Sequence, residues 1–286
     1  MSIKTTGETI PESEAAAGPN RWFVTSFCWL VAIGAYWVLR NRGQWAFYVS
    51  FHEWMASIGI SRGIRNLDSL FFYIVPAFIV AWRIVPPAGR QTLEKLLLAG
   101  GRRGWFMTAV IASAPMVVGG ALLAILSSSA DAPAPSRAEI WNKLLSGVVR
   151  APIGEEFLFR GLLVALPAWV LGWRGRCFWI NATGAGLFFG LIHVTLSFQG
   201  ILNEWGNFVV PFIGGMWYTW LLVHWRAICM PITLHAGMNL GWLIAQAEGG
   251  ASGGGGVINL LRVATIVIAT VITVRMSRRR VSPLES

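Results

Sequence analysis

Charged side chains are scarce in this sequence. Asp, Glu, Lys and Arg make up 13% of its 286 residues, about half the roughly 25% of an average soluble domain. A soluble fold of this length needs more polar surface, and a disordered chain needs fewer apolar residues and more net charge. Acidic residues are the scarcer kind, 13 against 23 Lys plus Arg, for a net charge of +10. Cysteine is nearly absent: Cys28, Cys177 and Cys229 stand far apart with no Cys-x-x-Cys pair, which argues against a disulfide framework or a thiolate metal site. The zincin pattern His-Glu-x-x-His is missing. So is any internal repeat, which weakens the reading as an inverted-repeat transporter. No basic face alternates with aromatics, so the excess of Lys and Arg does not point to nucleic acid.

What is present is apolar. Hydrophobic residues reach 55%, and the mean hydropathy is +0.58. The pattern predicts an all-α polytopic membrane protein with about eight transmembrane helices and an intramembrane cavity. The expected spans are 22–39, 70–82, 105–126, 140–171, 177–198, 208–225, 228–246 and 257–274. Residues 45–60 are apolar but broken by His52 and Glu53, and read as an interfacial helix. The organisation follows: a disordered cytosolic tail over 1–21, N-terminal helices and the interfacial segment over 22–140, a core over 141–246, and a Gly-rich loop, last span and basic tail over 247–286. Basic residues cluster after every second span, at Arg83 to Arg103, Arg174 and Arg176, Arg226, and Arg275 to Arg280. The positive-inside rule then places both termini in the cytoplasm, although Arg40, Arg42, Arg62 and Arg65 would lie outside.

A charge at the membrane centre costs roughly 2.5–3.5 kcal/mol on insertion scales, so intramembrane polar groups need a reason. Glu156 and Arg160 are four residues apart on one helix face and can pair. Glu155 points about 100° away and is left without a helical partner. Such a carboxylate suits a general base. His193 lies in the next span, and His235 and Asn239 share a face two spans later. Each also has a plainer reading: a packing histidine, interhelical glue, or a structural ion pair. His224 reads as an interfacial anchor. Asn181-Ala-Thr183 fits a glycosylation pattern but falls at an inner span end and is discounted.

The polar residues fall in a recurring order. Gly154-Glu155-Glu156-Phe157-Leu158-Phe159-Arg160 is followed by Phe189-Gly190-Leu191-Ile192-His193 and then by His235-Ala236-Gly237-Met238-Asn239. This series, EExxxR, FxxxH and HxxxN, resembles the CPBP intramembrane proteases, the family of type II CAAX-prenyl endopeptidases and bacteriocin-processing or immunity (Abi) proteins. The resemblance covers about residues 143–246. It implies peptide-bond hydrolysis inside the membrane, with Glu155 and His193 holding and activating water. His235 and Asn239 would stabilise the oxyanion, Glu156 would contribute, and Arg160 would shape the site. It implies a protein or peptide substrate with a membrane-associated tail, and a multi-pass protein of a prokaryotic inner membrane. No cofactor is expected; the alternative is zinc held by Glu155, His193 and His235. The rival readings are a proton-coupled transporter and a non-catalytic immunity or scaffold protein. The depth of the polar groups, in the middle or outer half of the bilayer, favours a sorting tail or leader peptide over a prenylated C-terminus.

Overall fold

The computed structural model describes residues 20–70, 74–75, 79–80, 83, 104–127, 136–173, 175–246 and 256–278. The described elements are helical, with no strand among the described residues. The expected tail, most of the expected span at 70–82 and nearly all of the Gly-rich loop fall outside them.

Helix α1 (Arg21–Asn41) starts where the Asn20 side chain accepts the Trp22 amide at 2.9 Å, an ordinary N-cap. Its buried face is Val24, Cys28, Ala32 and Ala35, a helical repeat of small residues. Helix α2 (Ala46–Ser57) has 12 residues, too few to span a bilayer. It is tied down instead. His52 Nε2 lies 3.0 Å from Asp68 Oδ2, and Arg65 Nη1 donates to the His52 carbonyl at 2.6 Å. Burial, with Asp68 alongside, pushes the Tyr48 hydroxyl on the same helix up to about 12.

Helix α3 (Trp105–Ser127) is followed by α4, an unbroken helical rod over 137–171. The rod opens on a capping box: the Ser136 hydroxyl accepts the Glu139 amide while the Glu139 carboxylate accepts the Ser136 amide. Those hydrogen bonds hold the Glu139 carboxyl below its ordinary range. Two stretches of the rod, Leu144–Arg150 and Phe157–Ala165, adopt the wider π-helical turn.

Each wide stretch ends two residues before a proline, just ahead of Ala151-Pro152 and Leu166-Pro167. Proline has no N–H to give, and its ring crowds the carbonyl four residues back. A widened turn relieves the crowding: Ala151 and Leu166 each donate five residues back, to Ser146 and Gly161. Carbonyls are still left over, and asparagines from other helices take one near each proline. Asn239 Nδ2 donates to the Gly147 carbonyl at 2.8 Å, and Asn181 Nδ2 to the Leu163 carbonyl at 2.6 Å. Asn181 also accepts the Trp29 indole N–H at 2.9 Å, joining α1, the rod and the following helix. Asn181→Ala is therefore expected to cost about 1–3 kcal/mol, because it strands a buried carbonyl and a partly buried indole N–H. Thermal unfolding in detergent micelles reads it. Asn181 is buried and is not placed as a glycan acceptor.

After the rod come α5 (Arg176–Leu191), α6 (Phe198–Asn203), α7 (Trp205–Trp225), α8 (Cys229–Gln246) and α9 (Gly256–Arg278). The rod packs on α1, α5 and α8; α3 packs on α8 and α9; α5 packs on α7. Four described helices, spanning Arg21–Gln44, Trp105–Leu126, Trp205–Trp225 and Gly256–Met276, are long and apolar enough to cross a membrane. Leu30, Ile125, Leu260 and Val267 on these helices stay exposed. The chain is an integral membrane protein, and these apolar faces are the surfaces it offers to lipid. The expected single span over 177–198 is instead broken: α5 stops at Leu191 and α6 starts at Phe198 behind a Ser197 cap, whose hydroxyl accepts the Gly200 amide at 3.0 Å.

Candidate active site

The rod presents Glu155 and Glu156 side by side at the end of the helical segment Ala151–Glu156, and the wide turn then carries Arg160. Glu156 and Arg160 are among the most buried side chains of the protein, at 0% and 1% exposure. Arg160 Nε lies 3.2 Å from Glu156 Oε2. The other carboxylate oxygen, Oε1, meets His235 Nδ1 at 3.0 Å. One buried carboxylate thus stands between a guanidinium and an imidazole. The guanidinium is covered on its apolar faces: its carbon sits 4.5 Å from the Phe189 ring centroid and 5.3 Å from that of Tyr218. Gly215 makes room for it, since a Cβ there would stand 3.2 Å from Arg160 Nη2.

Removing one member of a buried ion pair costs far more than the pair contributes, because the other charge is left desolvated. Arg160→Met is therefore expected to lower stability by about 3–5 kcal/mol. The midpoint of thermal unfolding in detergent measures it, with Arg160→Lys recovering part of the loss.

Glu155 is in a different position. Its side chain is 19% exposed, and the nitrogen that faces it is His235 Nε2 at 3.9 Å. That gap exceeds a direct hydrogen bond and is within the reach of one bridging water. His235 therefore faces both glutamates, one through each ring nitrogen. A carboxylate already facing a guanidinium accepts, so Nδ1 carries the proton toward Glu156 and Nε2 is the nitrogen left to Glu155.

Asn239 lies one turn along α8 and is engaged at Gly147 of the rod. It borders an open cleft of about 260 Å³ lined by Lys143, Ser146, Gly147, Asn239, Trp242 and Leu243. His193 is not drawn into the same cluster. It stands two residues beyond the end of α5 and is exposed. Its Nδ1 faces the Phe189 carbonyl at 2.7 Å, and its ring packs on Phe189 edge to face at 4.7 Å. It forms no ion pair with a carboxylate among the described residues. The trio proposed as a zinc set, Glu155, His193 and His235, does not close: no group of three His, Cys, Asp or Glu among the described residues is placed to hold a metal ion. The sequence reading missed one member of this neighbourhood altogether, Tyr218, whose ring stacks on His235.

Residues 137–241 match the family model for type II CAAX prenyl endopeptidases of the Rce1-like kind. The matched segment contains the rod from its capping box onward and all three motifs. No curated protein and no solved structure matches the chain. The CAAX-protease resemblance read from EExxxR, FxxxH and HxxxN thus holds over the segment that carries them.

Proposed function

We propose that this membrane protein is a glutamate-dependent endopeptidase that hydrolyses a peptide bond near the C-terminus or membrane tail of a protein substrate. The observation that carries the reading is the unequal treatment of two adjacent carboxylates. Glu156 is fully buried and held by Arg160 and His235, whereas Glu155 is partly open and makes no direct hydrogen bond among the described residues. Adjacent carboxyl groups in different environments divide into a structural anion and a working base.

In this reading Glu155 takes a proton from a water as the water oxygen bonds to the scissile carbonyl carbon. The charge that develops on the carbonyl oxygen is met by the Asn239 amide N–H, while the unprotonated His235 Nε2 helps hold the water against Glu155. The tetrahedral intermediate then expels the amine as its C–N bond breaks, and the proton held by Glu155 passes to that nitrogen.

The test is cleavage in proteoliposomes. The purified chain is mixed with peptides that carry either a transmembrane tail or a prenylated C-terminal cysteine, and the products are located by mass spectrometry. Cleavage of the tailed peptide, with the prenylated one cut more slowly, is the expected result. No cleavage of either would overturn the reading. Orientation is checked separately with reporters fused after Gly249 and after Ser282: the first should report the external side and the second the cytoplasm.

A further inference from the structure

The three motifs supply Glu156, Arg160, Phe189 and His235, yet the side chain that ties them together comes from a helix with no motif. Tyr218 lies on α7 and is 6% exposed. Its ring stacks on the His235 imidazole, with centroids 5.6 Å apart and planes 22° from parallel. The same ring centroid is 5.3 Å from the Arg160 guanidinium carbon, whose other neighbour is Phe189. Its hydroxyl donates to Met238 Sδ at 3.4 Å, three residues along α8 from His235. Sulfur is a weak acceptor, so this bond adds little to the contact made by the ring.

An imidazole has two freedoms, the plane it adopts and the edge it turns. The Nδ1 contact to Glu156 fixes the edge. It does not fix the plane, because a single hydrogen bond tolerates tens of degrees of tilt. Tyr218 is the aromatic surface that sets the plane. We propose that Tyr218 is a positioning residue for His235: its ring, backed by the Arg160 guanidinium, holds the imidazole with Nδ1 on Glu156 and Nε2 toward Glu155.

This rests on the endopeptidase reading for its kinetic consequence but not for its structural one. The experiment therefore has two arms, run on the full chain in detergent or lipid. In the first, ¹⁵N NMR of histidine-labelled protein reads the protonation pattern of the His235 ring. There are 4 histidines to distinguish, and His235→Ala assigns the resonance. Wild type and Tyr218→Phe should share one signature, with the proton on Nδ1, while Tyr218→Leu should give a mixture. In the second arm, Tyr218→Leu should lower kcat for a tailed peptide at least about tenfold, since small misplacements of a reacting group are costly. KM should stay within about twofold, and Tyr218→Phe should retain the wild-type kcat.

A folded Tyr218→Leu protein that keeps both the signature and kcat would overturn the proposal. So would a Tyr218→Phe variant as impaired as Tyr218→Leu, because the role would then belong to the hydroxyl. If Tyr218→Leu does not fold, Tyr218→Met, closer in length, takes its place. If the wild-type protein cleaves nothing, the endopeptidase reading fails and the spectroscopic arm alone decides whether Tyr218 positions the ring.

Discussion

Glu155→Gln is expected to lower peptide cleavage by about 10²–10⁴-fold, the usual contribution of a positioned general base. The fold should not register the change. The Glu155 side chain makes no direct hydrogen bond among the described residues, and His235 Nε2 stands 3.9 Å away. Glutamine fills the same volume without the ability to accept a proton from water. The melting midpoint in detergent should therefore stay at the wild-type value while the initial rate collapses. Glu156→Gln makes the contrast. That side chain is fully buried between Arg160 and His235, so its loss should show first as lost folded protein. A Glu155→Gln variant that cleaves at the wild-type rate would remove the proposed mechanism, whatever the fate of Glu156→Gln.

Gly241→Val should rank among the most damaging single changes to the fold. α3 and α8 meet almost without side chains. A Cβ at Gly241 would collide with the Met116 carbonyl, one at Gly120 with the Gly241 carbonyl, and one at Gly237 with the Ser113 side chain. Backbone carbonyls cannot rotate out of the way as a side chain can, so the helices would have to part. Inserted bulk in a packed core costs about 1–3 kcal/mol, and more where nothing yields. Close approach of this kind is how membrane helices associate when lipid is as apolar as their own side chains. Gly237 and Gly241 lie two residues from His235 and Asn239, about 200° around the helix. The seam and the polar residues therefore occupy opposite sides of α8, and parting the seam displaces the histidine as well. Size-exclusion profiles in detergent should show aggregated or unfolded protein for Gly241→Val. Gly34→Val, at a position with nothing within 4 Å of the added carbon, should behave as wild type.

Much of this site could be read from spacing. Four residues separate Glu156 from Arg160 and four separate His235 from Asn239, and both spacings put the pairs on one helix face. Spacing cannot say which face of one helix meets which face of another. The sequence leaves Glu155 without a partner; His235 approaches it only because α8 packs against the rod. His193 illustrates the reverse. An unbroken apolar pattern over 177–198 places it inside a span, yet α5 ends at Leu191. Gly190 there lies against the Phe208 carbonyl, 2.7 Å from where a Cβ would be. Glu204 then draws the chain aside by accepting the Thr195 amide and hydroxyl at 3.2 and 3.0 Å. Ser197, ahead of Phe-Gln-Gly, is the cap that could have signalled the restart. Tyr218 sits in Gly-Gly-Met-Trp-Tyr-Thr-Trp, where an aromatic run reads as a membrane belt, and nothing local distinguishes the ring that touches His235. The wide turns do have a local cue, in Pro152 and Pro167, but proline alone predicts a kink as readily as a π stretch.

The rod that carries both glutamates is gripped at two places. Asn239 holds it at Gly147, before the acidic pair, and Asn181 holds it at Leu163, beyond it. Two hydrogen bonds, one on either side of the acidic pair, oppose sliding and rolling of the rod and so favour one position of Glu155 relative to α5 and α8. In the endopeptidase reading, whatever yielding admits a polypeptide is left to the neighbours of the rod. In that reading, loosening the Asn181 clamp should blur where along a substrate the cut falls before it slows the cutting.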